Sequence, residues 1–276
     1  MEKCDALYIQ QYLAQLDLAG DLTGLALVGA LQARHLAEFS FSSINAMSDT
    51  LLPLDEELLF DRLISQHQGG YCFEHNKVAG VALSALGFEV RPVLARVMLN
   101  GAKTNPRTHR LTLLTFEDNE YLVDVGFGVN TPIIPLSINR NNVMRQENNE
   151  YEIKRTENAV TVKMLAPEPI SLYEVDLSIV YEGDCDVAHF YSHQHPNAGF
   201  VNNLVVSRIE QGERYLIRNN SYIYCNENTA EHSEQVIDNA GQLHTLLTEQ
   251  FKLKINAKKT EQVFKKMRNM VEKGLK

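Results

Sequence analysis

At Gly87 the apolar periodicity of this chain changes, and that switch limits the folds open to it. Before it, Ala6 to Leu18, Leu25 to Ala37 and Leu54 to Ile64 carry apolar residues at helical spacing. Asp21 or Thr23 stands ready to cap the second of these. The acids Asp55, Glu56 and Glu57 fall in the first turn of the third, where the helix dipole favours negative charge. Phe39 to Asp49 is rich in Ser and reads as loop, and a further helix over Phe73 to Leu86 ends at Gly87. Beyond that glycine, Glu89 to Leu99, Arg110 to Phe116 and Glu120 to Val125 read as strands, with Glu117 to Glu120 as a hairpin turn. Tyr151 to Lys154, Ala159 to Met164 and Tyr173 to Ile179 continue the β pattern, and polar Asn139 to Glu150 is an excursion. After Pro196 the pattern is mixed: Leu204 to Arg208 and Arg214 to Arg218 as strands, Gly241 to Gln250 as a helix. A chain of 276 residues with a helical front, a β middle and a mixed end is an α+β protein of three parts. The parts are 1–88, 89–195 and 196–276.

Charge and cysteine content narrow the chemistry. A net charge of −9 argues against nucleic acid as a partner. The exception is the basic tail from Lys252 to Lys276, where Val263, Met267, Met270 and Val271 predict an amphipathic helix with a solvated basic face. No apolar run approaches the roughly 18 residues that span a bilayer, and Met1 to Asp5 lacks the pattern of a signal peptide. A cytoplasmic protein without membrane contact is expected. Cys4, Cys72, Cys185 and Cys225 are too scattered for a disulfide framework and show no CxxC metal spacing. His189, His193 and His195 cluster, but without a fourth ligand at metal spacing, so loop packing is expected and no metal. Asp184 and Asp186 flank Cys185 and oppose a thiolate there, and Cys4 and Cys225 have no activating neighbour.

Cys72 is different. It follows a Gly69-Gly70 turn and opens a helix, where unpaired backbone N–H groups and the positive dipole end favour thiolate over thiol. A cysteine nucleophile needs a base and a third group that holds the base in the right tautomer. His109, at the entry to one strand, and Asp124, near the end of the next, lie toward the same open end of the expected hairpin. Gly126 and Gly128 after Asp124 let the backbone approach a ligand. Glu74 reads as structural and His75 as a surface or packing residue.

Three ordered strings carry a resemblance: Gly69-Gly70-Tyr71-Cys72-Phe73-Glu74, Thr108-His109, and Asp124-Val125-Gly126-Phe127-Gly128. Together they are similar to the arylamine N-acetyltransferase family, over nearly the whole chain. Weaker echoes follow at His195-Pro196-Asn197-Ala198-Gly199-Phe200 and Gln250-Phe251-Lys252-Leu253. The resemblance implies a helical bundle, a central β-barrel and a C-terminal α/β lid around a cysteine-proteinase-like core. It implies Cys72 as the acetyl-accepting nucleophile, His109 as base and Asp124 as orienting carboxylate. Phe127 would line an arylamine pocket, with Met98 opposite and Tyr71, Gly126 and Gly128 nearby. The reaction implied is ping-pong: acetyl-CoA acylates the cysteine, then an aromatic amine, hydrazine or N-hydroxyarylamine takes the acetyl group. No cofactor is bound permanently; without a phosphate-binding glycine loop, CoA would lie in a cleft between barrel and lid.

The chain departs from the family in two places. Gln68 stands where the family has arginine, and Ser42 falls where it has the glutamate of a Pro-Phe-Glu-Asn segment. A neutral Gln68–Ser42 hydrogen bond is expected in place of that ion pair, since losing both charges costs less than stranding one. Two other functions share the layout: a cysteine hydrolase or amide synthase with the same triad, and a catalytically weakened binding homologue.

Overall fold

The computed structural model describes residues 3–18, 21–146 and 148–272. The side chain of Cys4 and the tail beyond Glu272 lie outside the described residues. The front is helical: α1 (Lys3–Gln15), α2 (Gly24–Glu38), α4 (Glu56–Phe60) and α5 (Cys72–Ala85), with β1 (Phe41–Ser42) and α3 (Ile44–Met47) between α2 and α4. Asp55 caps α4 by accepting from Leu58 N at 3.3 Å, and one wide turn over Asp61–Ser65 extends it. Thr23 is the N-cap of α2 without a side-chain bond. The middle holds β2 (Glu89–Val97), β3 (Arg107–Phe116), β4 (Asn119–Val123), β5 (Leu136–Ser137), β6 (Asn142–Gln146), β7 (Asn149–Arg155), β8 (Ala159–Ala166) and β9 (Ile170–Asp176). The end holds α6 (Glu182–Gln194), α7 (Gly199–Asn202), β10 (Val205–Glu210), β11 (Glu213–Arg218), β12 (Ser221–Asn226), β13 (Glu231–Val236), α8 (Ala240–Thr245) and α9 (Ala257–Glu272).

The middle strands form one antiparallel sheet in the order β5-β4-β3-β2-β9-β8-β7-β6, curled into a nearly closed barrel. Its two edges are bridged by the Asn142 amide, which donates to the Ser137 carbonyl at 3.2 Å. Leu111, Leu122, Tyr151, Val162 and Tyr173 fill its interior. Glu117 and Asp118 both have positive φ (49° and 60°). They make the two-residue turn whose twist suits a hairpin, and Phe116 pairs with Asn119 across it. The second sheet runs β1-β10-β11-β12-β13, and α8 and α9 pack on it through Leu243, Val263, Met267 and Met270.

Several expectations are corrected. The Ser-rich segment at 39–49 is not all loop: Phe41 pairs with Ser207 and Ser42 with Val206, so the helical front lends an edge strand to the C-terminal sheet. Ser43 makes that possible, donating to Asn203 O at 2.7 Å and accepting from Val205 N at 2.9 Å. The polar excursion at 139–150 contains β6, and β3 starts at Arg107, which puts His109 inside the strand. Val271 is exposed; one residue beyond Met270, it is rotated about 100° off the buried stripe. Among the described residues no helix is long and apolar enough to cross a membrane.

Candidate active site

Cys72 is the first residue of α5 and is 2% exposed. Gly69 enters the preceding turn at φ +70°, where a side chain would be strained. A Cβ on Gly70 would sit 3.0 Å from both Cβ and Oε2 of Glu74. Glu74 reaches back to accept from the Tyr71 N–H at 3.0 Å, which is one half of a capping box. Its other oxygen takes two bonds from Arg62, 2.7 Å from Nη2 and 3.2 Å from Nε. Burial raises the Glu74 carboxyl above its ordinary range against the pull of Arg62. Arg62, not Gln68, therefore supplies the cation at this helix start. The expected Gln68–Ser42 bond does not form: exposed Gln68 donates to Gln66 at 2.5 Å, while buried Ser42 accepts from Ile44 N at 3.2 Å.

His109 on β3 and Asp124, one residue past β4, meet as the hairpin predicts, with Nε2 2.7 Å from Oδ2. Both are nearly inaccessible to solvent. The Cys72 side chain also favours the charged imidazole, and Cys72 Sγ lies 3.5 Å from the carbonyl oxygen of Thr108, the residue before His109. Burial works against a charged imidazole here, but the Asp124 charge and hydrogen bond, aided by Cys72, outweigh it and push His109 up to about 10. The carboxylate thus holds the imidazole, and the cysteine sulfur lies against the residue that precedes it.

The sequence reading missed Asn76. It sits one helical turn beyond Cys72, and its amide donates to Asp124 Oδ1 at 3.0 Å and to Arg110 O at 2.7 Å. Its carbonyl accepts from Val125 N at 3.0 Å. Asp124 Oδ1 takes a further bond from Gly126 N at 2.9 Å, so the carboxylate is held from three sides. The i, i+4 spacing from Cys72 was the available signal. Gly126 is needed for packing: a Cβ there would stand 2.7 Å from Cys72 Cα and 2.8 Å from Asn76 Nδ2.

Phe127 packs edge-on to His109 and to Tyr173, with ring centroids 5.0 Å apart in each pair. Its ring therefore covers the His109 imidazole from one side. Gly128 has φ +91°. Met98 is half-buried just beyond β2, but the register sets Val97 across from Tyr173, the ring that backs Phe127. Tyr71 is fully buried, its hydroxyl 2.6 Å from His189 Nδ1 and its ring stacked on that imidazole. Its ring also packs against Phe73 and Phe200. His189 spends its other nitrogen on Leu52 O at 2.5 Å, so neither nitrogen is free for a metal. Burial pushes the Cys185 thiol up to about 11.

Comparison with known proteins bears on the family and the fold. A family model described as N-acetyltransferase matches residues 24–260. The chain is 31% identical to an arylamine N-acetyltransferase / N-hydroxyarylamine O-acetyltransferase of Salmonella typhimurium, over 84% of this chain and 85% of that one. It is 27% identical to an arylamine N-acetyltransferase of Escherichia coli, over 90% and 89% of the two chains. The solved Salmonella typhimurium structure superposes with a TM-score of 0.86 at 26% identity, covering 94% and 98% of the two chains. A Mycobacterium marinum arylamine N-acetyltransferase in complex with CoA shares the fold, with a TM-score of 0.87 at 23% identity over 94% and 99% of the chains.

Proposed function

Since the chain belongs to the arylamine N-acetyltransferase family and is an acyltransferase, we propose that it moves an acetyl group from acetyl-CoA to an aromatic amine through Cys72. The observation that carries this reading is the 2.7 Å bond between His109 and Asp124 beside the Cys72 sulfur. An imidazolium next to a cysteine favours its thiolate. That thiolate attacks the thioester carbonyl of the donor. The resulting oxyanion faces the Cys72 backbone N–H, one of the unpaired donors at the helix start. Collapse breaks the carbon–sulfur bond to CoA, whose sulfur takes the proton held by His109. In the second half, the amine attacks the acetyl-cysteine, His109 accepts the amine proton, and Cys72 leaves as thiolate.

Phe127 walls the acceptor site, and Gly126 and Gly128 leave room beside it. Met98 lies at the rim beyond β2. Hydrazines and N-hydroxyarylamines are further acceptors of the same type, the last in line with the O-acetyltransferase name of the Salmonella relative. Functionally the chain divides as 1–88 with the nucleophile, 89–195 with base and carboxylate, and 196–276 as lid over a CoA cleft. The setting is the cytoplasm.

The test is mass spectrometry of the intact protein after acetyl-CoA. A single acetyl group on Cys72 that is discharged by an aromatic amine, and is missing in Cys72→Ala, is the expected result. Water discharging it as fast as the amine would replace the transferase reading with a hydrolase.

A further inference from the structure

Beneath the Gly69-Gly70 turn runs a chain of buried polar side chains that the acetyl-transfer scheme does not use. Tyr12 OH lies 2.6 Å from His35 Nδ1, His35 Nε2 lies 2.7 Å from His75 Nδ1, and His75 Nε2 lies 3.1 Å from the Gly70 carbonyl oxygen. The three side chains come from α1, α2 and α5, and all are fully buried.

A carbonyl only accepts, so His75 Nε2 carries a hydrogen. Burial keeps the ring neutral, pushing His75 down to about 4, so Nδ1 is a lone pair and takes the His35 Nε2–H. Burial and the neighbouring His75 also hold His35 well below its ordinary value. Its Nδ1 is then a lone pair that accepts the Tyr12 O–H. Every hydrogen in the chain points the same way, and the acceptor-only end prevents reversal.

The terminus of the chain is the peptide that leads into the nucleophile. Gly70 O receives His75 Nε2–H and also the Ser42 N–H at 2.5 Å. The N–H of the same Gly70–Tyr71 peptide is held by Glu74 at 3.0 Å. Both ends of one peptide unit between two glycines and Cys72 are therefore clamped, at a place where glycine leaves the backbone free to rotate.

We propose that His75 is a positioning residue for Cys72, acting through the Gly70 carbonyl and locked in one tautomer by His35 and Tyr12. This rests on Cys72 being the nucleophile. His75→Leu leaves the Gly70 carbonyl with the Ser42 N–H alone, whereas His75→Gln keeps an N–H for Gly70 and a carbonyl oxygen for His35. Misplacement of a reacting group by about 1 Å costs about 10²-fold in rate.

The test combines two measurements on the full chain. Nitrogen-15 NMR of labelled histidines in the wild type is expected to show His35 and His75 both neutral and both protonated on Nε2. In Tyr12→Phe, which touches nothing at the turn, both signatures are expected to move together; a change confined to His35 overturns the chain. Iodoacetamide alkylation and acetyl-CoA acylation of Cys72 are then compared across variants. His75→Leu is expected to lose about 10²-fold in both with an unchanged amine KM, and His75→Gln to stay within about threefold. Wild-type rates in folded His75→Leu, equal losses in both variants, or an Nδ1–H tautomer at His75 overturns the proposal. If His75→Leu does not fold, His75→Gln and the wild-type spectrum still decide it. Alkylation needs no acetyl donor, so failure of the transferase reading is seen separately, as wild-type protein that alkylates but does not acylate.

Discussion

Replacing Asp124 by Asn changes one charge and reverses one hydrogen. Asp124 Oδ1 accepts from Asn76 and Gly126, and an asparagine oxygen keeps both bonds. Its amide nitrogen must then occupy the place of Oδ2 and face His109 Nε2. An N–H cannot point at an N–H, so His109 turns Nε2 into a lone pair and moves its hydrogen to Nδ1, on the sulfur side. The base is then blocked where it is needed. The charge effect runs the same way. Holding His109 at about 10 in place of 6.5 is worth about 5 kcal/mol of preference for imidazolium, mostly owed to Asp124. An equivalent tautomer error in a serine protease triad costs about 10⁴-fold, and a loss of that order is expected here. Single-turnover acylation, followed by CoA release, reads it directly, and the pH profile of Cys72 alkylation should move upward. Acylation within tenfold of wild type, in folded protein, would refute the role given to Asp124.

Three further outcomes follow from the same geometry. Gly126→Ala puts a Cβ 2.7 Å from the backbone of Cys72; it should cost about 1–3 kcal/mol in urea unfolding and slow acylation by displacing Cys72. Arg62→Met strands Glu74, whose side chain is 1% exposed; a loss of about 3–5 kcal/mol is expected, largely restored in Arg62→Met/Glu74→Gln. His35, His75 and His189 are all held down by burial, His75 to about 4 and His189 to about 3. The unfolded chain takes up their protons first, so their stabilising contribution is complete above 6.5 and lost as pH falls toward those values. Each adds a slope of up to about 1.4 kcal/mol per pH unit, measurable by denaturant titration between pH 7 and 4 and shallower in His189→Asn.

Much of the site could be read along the chain because its signals are local. Gly-Gly before a cysteine at a helix start, and a polar turn between two alternating strands, are short-range signals, and the family resemblance of the strings around Cys72, His109 and Asp124 singled out those three residues. What escaped was non-local or weakly patterned. The strand at 231–236, Glu-His-Ser-Glu-Gln-Val, is mostly exposed on a sheet edge and carries no apolar alternation. The strand at 41–42 exists only because β10 pairs with it. Arg62 as the partner of Glu74 depends on a wide helical turn that periodicity does not show.

The sequence by itself determined the order of helical and β segments, the cysteine at a helix N-terminus, and the hairpin that brings His109 and Asp124 together. These follow from backbone propensity and spacing over a few residues. Tertiary structure alone decided which charge neutralises Glu74, that Asn76 steadies Asp124, that the Tyr71 hydroxyl meets His189, and that Tyr12, His35 and His75 join into one directed chain. Those outcomes turn on which donors meet which acceptors after burial, where each polar atom must find a partner and water no longer competes.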